Sequence, residues 1–238
     1  MNANSTYAPH CEPMTLSSVL HLARQGRFAR ATSPEGVAYV AKVDLKSCYR
    51  QFALRSRDIW LHCLEWEGHT YAHAFVIWGS RPAAHLVSIP TQAICDQLQP
   101  LLPPGTFLSV YLDDFHIIAR TKQDADYAVH LLRDTLSRLG LIESVDKFHP
   151  PSTAAPTLGV FLDLACGCVW VLPEHAIKLA RGIDDMLSGG TTKRQLESLV
   201  GSLNFIEPLF INDRLRLVCL WRWLAQWEAS SPWRQHPW

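Results

Sequence analysis

Three aspartates of the sequence have surroundings that suit the binding of divalent cations. Asp113 and Asp114 are adjacent inside an otherwise apolar stretch, and Asp44 ends a second apolar stretch, residues 37–43. Carboxylates in such surroundings repel one another and resist burial unless a cation neutralises them. Carboxylates without His or Cys partners suit Mg²⁺ or Mn²⁺ better than zinc. The three acids therefore predict a site for such ions, and phosphoryl transfer as its chemistry.

The Asp113-Asp114 pair has a second interpretation as an ordinary turn. Aspartate is a favoured turn residue, and a pair of them between two strands needs no metal to explain it. Asp44 favours the metal site, because an acid has no structural reason to follow the buried run Val-Ala-Lys-Val. Taken without Asp44, the pair leaves both interpretations open.

Two predicted β elements would carry these acids. Residues 37–43 are rich in β-formers and predict a mostly buried strand whose C-terminal end presents Asp44. Thr106–Ala119 consists of two apolar runs around the acid pair, which predicts a tight β-hairpin with both acids at its tip. Strand ends would thus hold all three carboxylates.

The remaining pattern predicts an α+β layout that ends in helices. A further hairpin is expected in Trp60–Phe75, around Glu67-Gly68. The predicted helices are Met14–Arg27, Ala83–Leu98, with a kink or break at Pro90, Gln123–Leu139, Glu174–Leu187, Lys193–Ile206 and Arg214–Glu228. The other predicted strands are Leu141–Val145, Thr157–Leu162 and Cys168–Leu172.

Composition indicates a globular chain without a strong overall charge. The 238 residues are 48% hydrophobic, which is enough for a core, and 22 basic residues balance 22 acidic ones. A net charge of zero gives no long-range attraction for a polyanion, although the local distribution of charge decides such binding. No apolar run of about 18 residues and no signal-peptide layout occurs, so we expect an intracellular protein of cytoplasm or nucleus that does not enter membranes.

The seven cysteines are scattered along the sequence. Only Cys166 and Cys168 lie close together, and their spacing is not that of a zinc site. Free cysteines are commonly buried, so we expect reduced, buried thiols.

Several motifs resemble those of reverse transcriptases in type and order. Tyr111-Leu112-Asp113-Asp114 resembles the family's Tyr-x-Asp-Asp signature, and Val43–Phe52 resembles its first catalytic motif. Weaker matches are Phe75–Ala84, Val145–Lys147, Leu158–Asp163 and the helix Gln195–Phe205. The chain is similar to retroelement reverse transcriptases, with DIRS-like and long-terminal-repeat elements as the nearest groups.

The resemblance implies the architecture of a right-hand polymerase. We expect a palm with a ferredoxin-like sheet covered by helices on one face, together with partial fingers and a helical thumb. The expected parts are a partial fingers segment 1–36, a palm with a fingers insertion 37–172, a thumb-like segment 173–229 and a disordered tail 230–238.

The implied activity is template-directed DNA synthesis, the addition of dNTPs to a primer 3′-hydroxyl with two Mg²⁺ or Mn²⁺ ions. One ion, held by Asp44 and Asp113, would activate the hydroxyl. The second, also held by the Leu45 carbonyl, would neutralise the triphosphate. Asp114 would support these acids or complete the metal clamp.

The resemblance also assigns residues to the substrates. Those expected at the nucleotide are Tyr49, Gly79, Lys147 and Lys46. Those expected at the primer or template are Tyr111, Arg81, Leu158 and Gly159. The implied partners are a primed RNA or DNA template and dNTPs, with ribonuclease H, recombinase or integrase as further domains of the element.

Two alternatives remain. A retroelement remnant would keep the fold and bind nucleic acid without polymerising, and Ile77, Pro82 and Ala84 do depart from the family pattern. An RNA-dependent RNA polymerase is disfavoured, because the Tyr49 ring would occupy the place of a ribonucleotide 2′-hydroxyl. All three acids are retained, which argues against the remnant.

Overall fold

The computed structural model describes residues 16–189, 191–206 and 214–229. Its helices are α1 (Leu16–Thr32), α2 (Ala83–Leu98), α3 (Lys122–Arg138), α4 (Pro173–Leu187), α5 (Lys193–Ile206) and α6 (Arg214–Ala229). Its strands are β1 (Tyr39–Asp44), β2 (Cys63–Trp66), β3 (His69–Ala72), β4 (Phe107–Tyr111), β5 (Asp114–Ala119), β6 (His149–Ser152), β7 (Ala154–Thr157), β8 (Val160–Asp163) and β9 (Cys168–Val171). The predicted tail 230–238 and the first 15 residues of the predicted fingers segment lie outside the described part.

A four-stranded antiparallel sheet in the order β4-β5-β1-β6 forms the centre of the fold. Along the chain its elements run β1, α2, β4, β5, α3, β6, which is the split β-α-β arrangement of ferredoxin-like sheets. The predicted α+β class, with antiparallel sheets and helices, is thus confirmed. This order places β1 and β5, which carry the acids, side by side at the middle of the sheet.

The two faces of this sheet have different roles. Alternate residues such as Val43 and Phe115 point to one face, where they join the main hydrophobic core with α2 and α3. Lys42, Asp44 and Asp114 belong to the opposite face. Helix α1 packs over part of this second face against β4 and β5. The chemistry-bearing side chains therefore lie on the face that the main core leaves free.

The β2-β3 hairpin was predicted correctly, and it exposes an aromatic face. Its strands pair in register, so Leu64, Trp66, His69 and Tyr71 share one face. The Trp66 side chain is 63% exposed and that of Tyr71 is 51% exposed. An isolated two-stranded hairpin is marginal in water, so this segment gains little from burial within the described chain.

Helix α2 runs through Pro90 without the predicted split, and the alternative prediction, a kink, stays a prediction. Proline removes one backbone hydrogen bond of a helix. The turns on both sides remain helical because Val87, Ile94 and Leu98 are buried in the main core. Tertiary packing thus outweighs the local cost.

Between α3 and β7 one predicted strand is absent and one strand was not predicted. Leu141–Val145 forms no strand, because only Glu143 pairs with Leu45, and the chain then turns into a short 3-10 helix, Val145–Lys147. Strand β6 was missed, since Pro150 and Pro151 argue against a strand in sequence. Proline is tolerated there because β6 is an edge strand of the sheet.

The chain divides into two compact units. The first comprises residues 1–157 and 162–168, and the second residues 158–161 and 169–238. Strands β7, β8 and β9 form a separate three-stranded sheet. In the second unit α4 and α5 pack through Leu179, Leu199 and Ile206. The assignment of these parts to fingers, palm and thumb stays a prediction.

Within the described residues no helix combines the length and the apolar character that crossing a membrane requires.

Candidate functional site

Strand pairing brings the three predicted acids together. Asp44, the last residue of β1, lies directly opposite Asp114, the first residue of β5. The next residue, Leu45, donates its backbone N–H to the Asp113 carbonyl at 3.0 Å. Directly opposed residues on antiparallel strands have Cβ atoms about 5 Å apart. Two carboxylates in that position repel, so the pairing needs positive charge nearby.

The two acids occupy different positions at the predicted hairpin tip, Asp113 in the turn and Asp114 at the start of β5. Tyr111 pairs with Asp114, so the two-residue turn is Leu112-Asp113. Leu112 has φ of 56°, a left-handed conformation that costs a non-glycine residue about 1–2 kcal/mol. Pairing of Tyr111 with Asp114 holds Leu112 in this conformation. Asp113 then lies beside the end of β1, where its carbonyl accepts the Leu45 N–H.

Lys147 supplies the positive charge at Asp44. Its Nζ lies 3.1 Å from Oδ1 of the buried Asp44, and this hydrogen bond raises the pKa of the lysine. The Ser144 N–H donates to the Asp44 carbonyl at 2.7 Å, which fixes the loop that carries Lys147. The Lys147 side chain is 62% exposed and that of Asp44 only 7% exposed, so Lys147 can leave for water at little cost once another cation takes its place at the buried carboxylate.

Lys42 supplies the positive charge at Asp114. Its Nζ lies 2.9 Å from Asp114 Oδ2, and the two side chains are only 20% and 14% exposed. Burial raises the pKa of Asp114 to about 6, even though Lys42 opposes the shift. The other oxygen, Oδ1, is buried and has no hydrogen-bond partner. Asp114 is thus held on the sheet by a lysine of the neighbouring strand.

His116 is a neutral neighbour of Asp114. Its Nε2 lies 3.7 Å from Asp114 Oδ2, a distance compatible with an ion pair. Burial, followed by the charge of Lys42, lowers the pKa of His116 to about 3. The ring is therefore uncharged at neutral pH, and we treat the pair as a packing contact. Its Nε2 has no hydrogen-bond partner.

Asp113 is the acid of the three without a lysine ion pair in the described residues. Burial raises the pKa of its carboxyl, and the charge of Asp44 adds to this shift. The same charges act on the Cys48 thiol. Burial, followed by the charges of Asp113 and Asp44, raises the pKa of this thiol to about 12. Excess negative charge at Asp44 and Asp113 is the electrostatic environment that a cation would relieve.

The donors suit Mg²⁺ at two of the three acids. Mg²⁺ is commonly bound by one or two carboxylates together with substrate phosphates and waters, and Asp44 and Asp113 provide such a pair. Among the described residues no group of three or more His, Cys, Asp or Glu side chains is arranged to hold a metal ion. Asp114, the third acid, is instead ion-paired with Lys42.

The ion pair of Lys42 with Asp114 and the contact of Ser144 with Asp44 were not predicted from the sequence. Lys42 could have been found, since it lies two residues before Asp44 on the same strand and alternation puts both on one face. Ser144 carries no comparable signal, because its contact with Asp44 depends on a long-range bridge between residues 45 and 143.

Four more residues of the first unit were predicted to contact the nucleotide, primer or template, and they differ in burial. Tyr49 belongs to a 3-10 helix, Cys48–Gln51, and packs half-buried against the main core. Tyr111 ends β4 opposite Asp114. Lys46 is exposed, and its backbone N–H donates to the Ile142 carbonyl at 2.9 Å. Arg81 is exposed in the loop before α2.

Leu158 and Gly159 belong to the second unit. Both have left-handed φ angles, 46° and 78°. A Cβ added to Gly159 would meet the Phe205 ring at 3.0 Å. The residues thus form a tight turn against α5, and their proposed role at the primer stays a prediction.

Gly79 was predicted to allow close backbone approach to the template and nucleotide, which stays a prediction, and its φ of 87° independently favours glycine. No atom lies within 4 Å of an added Cβ, so substitution would cost only backbone strain. We expect Gly79→Ala to lower the free energy of unfolding by about 1–2 kcal/mol. Gly201→Ala is the matched control, because Gly201 has equal space inside α5 and should gain about 0.5–1 kcal/mol. Urea denaturation measures the change in unfolding free energy of each variant. If both variants were stabilised or both destabilised, the argument from backbone strain at Gly79 would be wrong.

No family model matches the sequence, and no curated protein matches it. Among solved structures, the chain is similar to the foamy viral protease-reverse transcriptase in complex with RNA/DNA hybrid, at 19% identity and a TM-score of 0.57. Two further structures of foamy viral protease-reverse transcriptase, with ds DNA, match at 17% and 18% identity and TM-scores of 0.57 and 0.56. Each match covers 79% of this chain but only 27%, 34% and 42% of the respective neighbour. The described chain thus has a reverse-transcriptase-like fold.

Proposed function

We propose that this chain is the polymerase part of a retroelement reverse transcriptase. It adds dNTPs to a primer 3′-hydroxyl by two-metal phosphoryl transfer, directed by an RNA or DNA template. The observation that carries this proposal is the in-register pairing of Asp44 with Asp114 beside Asp113. The fold supports it, because the structural neighbours are reverse transcriptases in complex with RNA/DNA hybrid or double-stranded DNA.

Asp44 and Asp113 are the acids that we assign to metal binding, with the Leu45 carbonyl as a further ligand. Mg²⁺ or Mn²⁺ bound there would activate the primer hydroxyl and neutralise charge on the triphosphate. Asp114 then supports the site by holding the strand end through Lys42, which is one of the two roles predicted for it.

Lys147 has a role that follows from its exposure. It neutralises Asp44 in the described state, and a cation at Asp44 would compete for the same carboxylate. The exposed lysine would then be displaced toward the phosphates of an incoming nucleotide. This exchange keeps Asp44 paired in both states, so binding leaves no buried charge uncompensated.

Primer extension with Mg²⁺ or Mn²⁺ tests the proposal. RNA and DNA templates of the same sequence, each with a labelled primer, should be extended in a dNTP-dependent reaction. Asp113→Asn is the negative control and excludes a contaminating polymerase. No extension on either template, with a folded protein that binds primer-template, would exclude polymerase activity for this chain.

The second candidate is a remnant that binds nucleic acid without polymerising. Two ion pairs favour this candidate, because Lys42 already neutralises Asp114 and Lys147 already neutralises Asp44. It predicts salt-sensitive binding of primer-template without extension, and binding that does not depend on Mg²⁺. Fluorescence anisotropy with labelled primer-template, measured with Mg²⁺ and with EDTA, separates the two candidates.

Tyr49 is proposed to exclude ribonucleotides. We expect Tyr49→Ala to keep DNA synthesis and to raise ribonucleotide incorporation at least about tenfold, because the ring that excludes the 2′-hydroxyl is gone. The kcat/KM ratio of dNTP to rNTP measures the effect. Tyr49→Phe is the matched control, since it keeps the ring that packs on the core and should keep discrimination. An unchanged ratio in Tyr49→Ala would remove Tyr49 from this role.

A further inference from the structure

Two cysteines lie together at the turn between β8 and β9. Cys166 is in the turn, Cys168 begins β9, and Gly167 between them has φ of 75°. Cys166 is exposed and Cys168 half-buried, whereas Cys48 and Cys95 are buried as predicted for all cysteines. The expectation of uniformly buried thiols is therefore wrong at this turn, where Cys166 is exposed and Cys168 only partly buried.

Hydrogen bonds fix the backbone of this turn. Asp163 Oδ1 accepts the N–H groups of Ala165 and Cys166 at 3.0 and 3.1 Å. The Arg30 guanidinium of α1 donates to the Cys166 carbonyl at 3.0 Å. Both cysteines thus have defined positions in one closed turn.

The two thiols point into the same small region. The Cys168 thiol donates to the Cys166 carbonyl at 3.9 Å, and the Cys166 thiol donates to the Asp163 carbonyl at 3.9 Å. A hydrogen bond with the Cys168 side chain is the largest cause that raises the pKa of the Cys166 thiol. The sulfurs are therefore within reach of each other.

The backbone separation is compatible with a disulfide. Cα atoms two positions apart lie at most about 7 Å from each other even in an extended chain, and the turn at Gly167 brings them closer. Disulfides accept Cα separations of about 4.4–6.8 Å. We propose that Cys166 and Cys168 form a reversible redox site that closes into a disulfide within this turn, with a small-molecule disulfide as the oxidant.

Closure follows thiol–disulfide exchange. The Cys166 thiol loses its proton, its sulfur attacks the small-molecule disulfide, and one small thiol leaves with the electron pair of the broken S–S bond. The Cys168 thiolate then attacks the Cys166 sulfur and expels the second small thiol. One small disulfide is reduced to two thiols while the protein dithiol is oxidised. Cys166 reacts first because it is the more exposed of the two residues.

Peptide mapping tests the proposal on the full chain. Trypsin releases the peptide 148–178, which contains both cysteines and no others. The native protein is incubated with oxidised glutathione, quenched with acid, denatured and alkylated. We expect this peptide to lose two hydrogen atoms in mass, to resist alkylation and to recover after reduction. The rate should increase with pH, because the thiolate is the attacking species.

Single substitutions separate the two roles. Cys168→Ser should accumulate one glutathionyl group on Cys166, since the resolving thiol is absent. Cys166→Ser should react at least about tenfold more slowly at residue 168. Cys219→Ser removes an exposed cysteine elsewhere and should leave closure of the 148–178 peptide unchanged.

Two outcomes would overturn the proposal. Glutathionylation of Cys219 in the wild type, while peptide 148–178 stays fully alkylated, would show that the oxidant arrived and the site did not react. Stable glutathionyl groups on both Cys166 and Cys168 would show that the sulfurs cannot reach each other.

Discussion

Replacing Asp113 with Asn is expected to lower the rate of primer extension about a hundredfold to a thousandfold. The substitution keeps the shape of the side chain and removes its negative charge. Lost electrostatic stabilisation of a transition state by one group typically has an effect of this size. We expect the full loss of rate at Asp113, because its carboxylate has no lysine ion pair in the described residues and remains available to a cation.

Single-turnover extension at saturating dNTP, over a range of Mg²⁺ concentrations, measures this effect. Asp134→Asn is the matched control, since Asp134 is an exposed acid of α3 that pairs with Arg138 on the same helix, and it should extend at the wild-type rate. Circular dichroism and thermal unfolding should show both variants folded. If Asp113→Asn extended primers at a near-normal rate, the assignment of the metal site would be wrong.

Asp44→Asn should lower extension as Asp113→Asn does, and the structure explains why it should leave the fold nearly as stable. Its neutral amide would leave Lys147 without the carboxylate that it contacts at 3.1 Å. Lys147 is exposed, so water can take over its solvation and the fold should lose little. We therefore expect the same loss of extension with nearly unchanged stability.

Much of the acid site was predictable from the sequence because strand periodicity and turn chemistry are local. The hairpin around Asp113-Asp114 and the strand before Asp44 both formed where apolar runs indicated them. Their pairing with each other is a long-range property. It could be inferred only because the same motifs resemble those of reverse transcriptases.

The charges that neutralise the acids were harder to predict. Lys147 reaches Asp44 through a loop held by the Ser144 N–H, and no local pattern specifies such a contact. The two prolines of β6 favour a loop in the sequence, and the segment is a strand because it pairs with β1. Strand register likewise decides which lysine lies beside which aspartate, and therefore which of the three acids is ion-paired.

The ion pair between Lys42 and Asp114 should be the strongest stabilising contact of the site in the absence of metal. Removing one partner of a buried pair leaves the other charge poorly solvated, at a cost of about 3–5 kcal/mol for full burial. The two side chains are 20% and 14% exposed, so we expect the lower end, about 3 kcal/mol, for Lys42→Met. Asp114→Asn should cost less, because the Lys42 ammonium can move toward water on its long side chain.

A double-mutant cycle measures this coupling. The variants are Lys42→Met, Asp114→Asn and both together, unfolded with urea in EDTA so that no metal contributes. The double variant should recover at least about 1 kcal/mol relative to the sum of the single losses, since neither charge is then left alone. Lys122→Met, at an exposed lysine of α3, is the control and should change stability by less than about 0.5 kcal/mol.

The same cycle decides the role of Asp114. If the single losses simply add, Lys42 does not hold Asp114, and its carboxylate is free to complete a three-acid metal clamp. Strong coupling instead means that a metal at Asp114 would have to displace Lys42, whose side chain is only 20% exposed, against 62% for Lys147. In that case Asp44 and Asp113 bind the ions, and Asp114 acts by holding the two strand ends in register.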